Sequence, residues 1–215
     1  AFTAYGESSV ASWIRQANNY GIKVHIWMQI AYDGGWHGIS NKDGTYNYDL
    51  INSKVNQAKY YASVAGVSGV HFDYLRFGGT AYNFPKAAES INYFVKTAVN
   101  AVKAINPNCL VSAALMPEPN NMLYYDGQDY STLTKYLDFV LPMIYKGNYN
   151  QGTAWIKSTT KWFVDNSNGD KLTIYTMWPV SVSGENGRTT YEIEIRSDSD
   201  IKKINEMYTV YDKYM

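Results

Sequence analysis

The chain has 215 residues, enough for one well-cored domain and short for two. Its 19 Lys+Arg and 19 Asp+Glu cancel, so no excess charge points to nucleic acid or to insertion at an anionic membrane. The single Cys109 excludes an intrachain disulfide framework and a cysteine zinc site, and no apolar run approaches the ~20 residues that span a bilayer. Charged residues make up 18% of the chain and aromatics 16%, including 21 tyrosines and 6 tryptophans. Such a polar-aromatic surface suits stacking on sugars, and equally an ordinary secreted protein. The N-terminus AFTAYGESS lacks the charged segment and apolar core of a signal peptide.

The elements alternate along the chain. Ser8 and Ser9 can cap a helix that runs through Asn19 and ends at Gly21, before a strand IKVHIWMQI at 22–30. A long Gly/Asn/Tyr-rich loop, 31–49, leads to a helix at about 49–64 with Leu50, Val55, Ala58, Ala62 and Val64 on one side. The strand GVHFDYLRF (69–77) follows, then a helix over about 85–105, opened by Pro85 and stopped at Asn106-Pro107. CLVSAALM (109–116) is the third strand, with Cys109 as a buried small hydrophobe at its edge. A short helix near 129–136 precedes DFVLPMIY (138–145), and a helix near 151–166 precedes KLTIYTMWPV (171–180). TTYEIEI reads as a short extra strand, and Asp198 or Ser199 caps a final helix to Met215.

Strand-helix alternation with Val/Ile-rich strands implies a parallel sheet covered by helices, either doubly wound or a (β/α)8 barrel. No Gly-x-Gly-x-x-Gly follows a strand and no phosphate-cradling loop ends in Lys-Ser/Thr, which weakens the nucleotide-binding form. Polar and aromatic residues gather just past the strand C-termini, where barrel enzymes place their sites. The expectation is an α/β, TIM-barrel-like single domain over 1–215. With five clear strands against the eight of a closed barrel, it is incomplete, lacking first and last strands, as in a longer protein with flanking domains.

Period-two alternation puts His71, Asp73 and Leu75 on one side of their strand and Phe72, Tyr74 and Arg76 on the other. A carboxylate inside a barrel is costly unless it is paired, hydrogen-bonded or solvated from the open end. Asp73 lies near the C-terminal end of its strand, and Arg76 and His71 are partners that would keep it ionised. Alone, this fits an Asp–Arg tie between strand and loop as well as a catalytic carboxylate. Glu118, in MPEPNN just beyond the next strand, supplies the second carboxylate that glycosidic hydrolysis needs. Asp33, Asp43, Asp126 and Asp129 are weaker rivals in loops after strands, while Asp138 precedes its strand, on the stability face. Tyr145, Trp178, Trp27, Tyr32 and Trp36 lie at or after strand ends, where aromatic faces stack on sugars or cap the core. The three histidines form no metal motif and no Gly-x-Ser-x-Gly elbow exists, so neither a metal site, a cofactor nor a serine hydrolase is expected.

GVHFDYLRFGG, LVSAALMPEP and DFVLPMIYK together resemble the glycoside-hydrolase-like TIM-barrel proteins, as does ANNYGIKVHIWMQ, where a helix ends at Gly-Ile and feeds a Trp-bearing strand. The resemblance covers about residues 10–180, and Asp-Tyr-Leu-Arg is its most specific part. It implies a retaining glycosidase-like barrel with Asp73, at the fourth barrel strand, as nucleophile and Glu118, at the fifth, as acid/base. Met-Ile-Tyr also looks like a strand of chitinase-type barrels, but their Asp-x-x-Asp-x-Asp-x-Glu motif is absent, which argues against substrate-assisted hydrolysis of N-acetylated chains. Gly78-Gly79 stands where many relatives carry proline. The functional expectation is a hydrolase of a cell-wall or extracellular polysaccharide, acting outside the cell or at its surface. The alternative is a non-catalytic carbohydrate-binding or structural module of a larger surface protein.

Overall fold

The computed structural model describes residues 5–167 and the strands at 172–177 and 191–195. In chain order the elements are α1 (Glu7–Asn19), β1 (His25–Gln29), α2 (Tyr48–Ser63), β2 (Gly69–Asp73), α3 (Ala87–Ile105), β3 (Leu110–Leu115), α4 (Tyr130–Tyr136), β4 (Phe139–Pro142), α5 (Thr153–Asp165), β5 (Leu172–Met177) and β6 (Tyr191–Ile195). A 3-10 turn at Ala81–Asn83 and a π turn at Met122–Asp126 interrupt the loops after β2 and β3. The strands form one sheet in the order β1-β2-β3-β4-β5-β6, parallel from β1 to β5, with β6 antiparallel to β5. This is the α/β, TIM-barrel-like architecture expected, carried in part. The final helix expected to Met215 lies outside the described residues.

Local chemistry explains most of the boundaries. Gly21 (φ 75) ends α1, with the Ile22 N–H bonded back to Ala17. The N-cap is Gly6, one turn-start earlier than the serines, so Ser8 and Ser9 lie inside the helix. Asn47 caps α2 by accepting from the Leu50 N–H, and Asp129 caps α4 by accepting from Thr132. The buried stripe of α2 is Ile51, Val55, Ala58 and Ala62, with Leu50 half-buried against the same core. α3 brings eight buried residues to the sheet, with Phe94 against Phe72 at 5.3 Å between centroids.

The sheet has two unlike faces. Ile26, Met28, Val70, Phe72, Val111, Ala113, Leu115 and Val140 alternate onto the face packed by helices, and all but Ile26 are buried. His25, Trp27 and Gln29 are in register with Gly69, His71 and Asp73, which fall on the opposite, barrel-interior face with Ser112. That face is partly open to solvent: Trp27 is 52% exposed. Gly69 is the residue that fits there, because a Cβ at this position would collide with the His25 ring.

Candidate active site

β2 ends at Asp73, four residues earlier than the sequence pattern suggests. The break is made by Tyr74, whose backbone takes a left-handed φ of 51, uncommon and costly for a bulky residue. The turn points the Tyr74 N–H at the Oδ1 of Asp73, at 2.6 Å, while the indole N–H of Trp27 donates to Oδ2 at 2.9 Å. Leu75 and Phe77 beyond the break are both buried, so Leu75 enters the core rather than sharing the Asp73 face. His71 does share it, and its Nδ1 lies 2.9 Å from the Ser112 hydroxyl. Burial pushes the His71 imidazole down to about 4, against the opposing pull of Asp73, so the ring is neutral at pH 7.

The expected Arg76–Asp73 pair is not made. Arg76 reaches Asp126 instead, Nη1 to Oδ1 at 3.3 Å, and its guanidinium lies 4.9 Å from the centre of the Trp36 ring. Asp73 takes its two bonds from Trp27 and the Tyr74 N–H, and Arg76 lies against the π turn after β3. The buried Asp126 carboxylate also accepts the Gly79 N–H, and its carbonyl accepts the Phe77 N–H, so the loop after β2 is tied to the π turn after β3. Gly78 (φ 58) lies directly against the Trp36 indole, where a Cβ would collide with the ring. Gly78 therefore seats Trp36, which packs edge-on with Tyr32 and Tyr74, themselves stacked at 5.0 Å.

Glu118 stands three residues past β3, and its carbonyl accepts the N–H groups of Asn121 and Met122 to start the π turn. Its side chain is half-buried. Tyr149, in the loop after β4, senses Glu118: burial, then the Glu118 charge, push its phenol up to about 12, with Arg76 opposing and Asp126 and Tyr145 adding. Tyr149 therefore lies in the neighbourhood of Glu118, whereas Trp27 and His71 share that of Asp73. Tyr149 and Gln128 carry no recognisable sequence signal, because their positions depend on how loops return to the strand ends. Gln128, 0% exposed, donates to the carbonyls of Leu75 and Ala114 and accepts the Met116 N–H.

The rival carboxylates have structural partners. Asp33 contacts His37 at 2.8 Å, Asp43 closes a turn by accepting from Thr45, Asp126 holds Arg76, and Asp129 caps α4. Asp138 accepts the Val111 N–H at 2.7 Å and pairs with Lys103 at 2.8 Å, at the N-terminal ends of the strands. Cys109 is buried, as expected, and burial raises its thiol pKa. Trp178 lies outside the described residues. Among the described residues no group of three or more His, Cys, Asp or Glu side chains is placed to hold a metal ion, and no helix is long and apolar enough to cross a membrane.

No protein-family model and no curated protein matches the sequence. Solved structures do. The spore cortex-lytic enzyme SleL of Bacillus megaterium superposes with a TM-score of 0.54 at 18% identity, over 88% of this chain and 44% of that one. Catalytic domain 2 of the Ostrinia furnacalis Group II chitinase gives 0.55 at 14% identity, over 89% and 56%. A glycoside hydrolase family 18 N-acetylglucosaminidase of Paenibacillus barengoltzii gives 0.51 at 15% identity, over 75% and 52%. The chain thus spans about half the length of the structures it matches. The fold shared with these glycoside hydrolases is the TIM barrel, and this chain carries part of one.

Proposed function

We propose that this chain is a carbohydrate-active hydrolase that cleaves glycosidic bonds of a cell-wall or extracellular polysaccharide with two carboxylates, Asp73 and Glu118. The observation that carries the reading is Asp73 itself. It is a strand-end carboxylate on the barrel-interior face, held by two N–H donors rather than neutralised by Arg76. Each oxygen accepts one of these bonds, which fixes the group and leaves lone pairs for an anomeric carbon. Glu118, from the next strand's loop, is the proton donor to the leaving oxygen and later the base for water. In this reading Trp27, Tyr32 and Tyr145 line the sugar sites, Trp178 is a further candidate outside the described residues, and His71, bonded to Ser112, is a substrate-binding side chain. Arg76 acts through Asp126 and Trp36. The cell-wall substrate class draws support from the shared fold, since one neighbour is named as a spore cortex-lytic enzyme and another was solved with a chitin oligosaccharide. An extracellular or cell-surface location belongs to the same proposal.

Asp73→Asn and Glu118→Gln should each lower turnover by roughly 10²–10⁴-fold, with unchanged circular dichroism. Proton NMR of the first-formed product should show retained anomeric configuration. Wild-type rates in either variant would sink the assignment. One observation favours the alternative of a non-catalytic binding module: the chitinase Asp-x-x-Asp-x-Asp-x-Glu motif is absent from the sequence. Binding of polysaccharide without release of reducing ends would establish that alternative.

A further inference from the structure

The loops after β2 and β3 carry an aromatic group that the proposed hydrolysis does not use. Tyr82, in the 3-10 turn, stacks on Tyr124 of the π turn with 5.2 Å between centroids and 12° between planes. Tyr125 stands edge-on to both, at 6.0 Å and 4.9 Å. The three rings are 52%, 59% and 44% exposed, although stacked tyrosines could have been buried in a protein this rich in apolar core. A π turn explains the display: Met122 and Asp126 at its ends are buried, and the residues between them all project to solvent. The display is also rigid. Asp126 is pinned by Arg76 and the Gly79 N–H, and Gly127 (φ 75) packs so closely on Ile91, Ala87 and Phe77 that a Cβ would meet them at 3.2–3.3 Å.

We propose that Tyr82, Tyr124 and Tyr125 form a second glycan-docking site, beside the Asp73–Glu118 site, for an uncharged chain of equatorially linked pyranose rings. Such rings present flat C–H faces to aromatic π-systems, and their hydroxyls need donors and acceptors at the platform edge. Asn83, next to Tyr82 in the chain, and Asn120 and Asn121, just before the π turn, are exposed and carry amides that supply both. The platform stands on the loops that follow the strands bearing Asp73 and Glu118, so a chain held there is held at the rim of the catalytic site. It raises the local concentration of a solid polysaccharide without touching the reacting bond.

The inference rests on the carbohydrate reading above, and its test is kept separate from turnover. Retention on microcrystalline cellulose and on chitin powder is measured with the chain carrying Asp73→Asn. In that background Tyr82→Ala with Tyr124→Ala should lower retention by about tenfold on the polymer that binds, and Tyr82→Phe with Tyr124→Phe by less than about twofold. Tyr20→Ala, at an 84% exposed tyrosine after α1, is the control and should change nothing. Should the double alanine variant lose its circular dichroism signal, Tyr124→Ala alone is read, with a loss of about threefold expected. The proposal is overturned if the alanine variant binds like its parent, if Tyr20→Ala costs as much, or if the parent binds neither polymer. Failure of the hydrolytic reading shows elsewhere, as unchanged turnover in Asp73→Asn.

Discussion

His71 lies two residues before Asp73 on the same face of β2, bonded to Ser112 and held neutral by burial, with its pKa lowered to about 4. A histidine depressed in the folded state binds its proton more readily when unfolded, so stability falls as pH drops from the unfolded value near 6.5 toward the folded one. Between pH 7 and pH 4.5 this single group should cost about 2–3 kcal/mol, on top of the ordinary carboxylate titrations. Urea unfolding of the protein and of His71→Gln at both pH values isolates it: the variant should lose most of that slope. His25, also lowered by burial, acts in the same direction. The histidine itself was legible as a neighbour of Asp73 from alternation. Its neutrality was not, because burial depends on what the other strands bring across.

Among the elements, the ends of β2 and β3 matter most, since Asp73 and Glu118 project from them. Gln128 joins them through three backbone groups, the carbonyls of Leu75 and Ala114 and the N–H of Met116, in a site with no access to water. Gln128→Ala strands all three and should cost about 2–4 kcal/mol in urea unfolding. Gln128→Met, which keeps the volume, should lose at least half as much, since the bonds rather than the packing carry the effect. Element type was readable from periodicity, and the helices appear close to their expected ranges. Strand lengths were not readable at their C-terminal ends: β2 stops at Asp73 because Tyr74 turns left-handed, and nothing in GVHFDYLRF announces that turn.

Across the whole molecule, the proposed site and the Asp138–Lys103 pair lie at opposite ends of the sheet. Asp73, Glu118 and the aromatic loops occupy the C-terminal rim, and Asp138 with Lys103 and the Val111 N–H occupies the N-terminal one. Asp138→Ala should therefore cost about 1–3 kcal/mol in urea unfolding, with kcat/KM changed by less than about twofold. A large loss of turnover in a folded Asp138→Ala protein would show that the two ends are coupled. The sheet also explains the Trp27–Asp73 contact. β1 and β2 run parallel in a register that pairs Trp27 with His71, so the long indole reaches diagonally to the next inward residue.

The sequence by itself determined the α/β class, the strand-helix order and the barrel-like placement of polar groups, Asp73 and Glu118 among them, at and past the strand ends, because hydrophobic period and helix stop signals are local properties of the chain. The tertiary structure decided which partners those carboxylates have. Trp27 rather than Arg76 binds Asp73, Arg76 goes to Asp126, and Tyr149 arrives beside Glu118 from a loop more than thirty residues away. Hydrogen bonds of that kind form between segments distant in sequence, and strand register and loop return, which no local pattern encodes, select them.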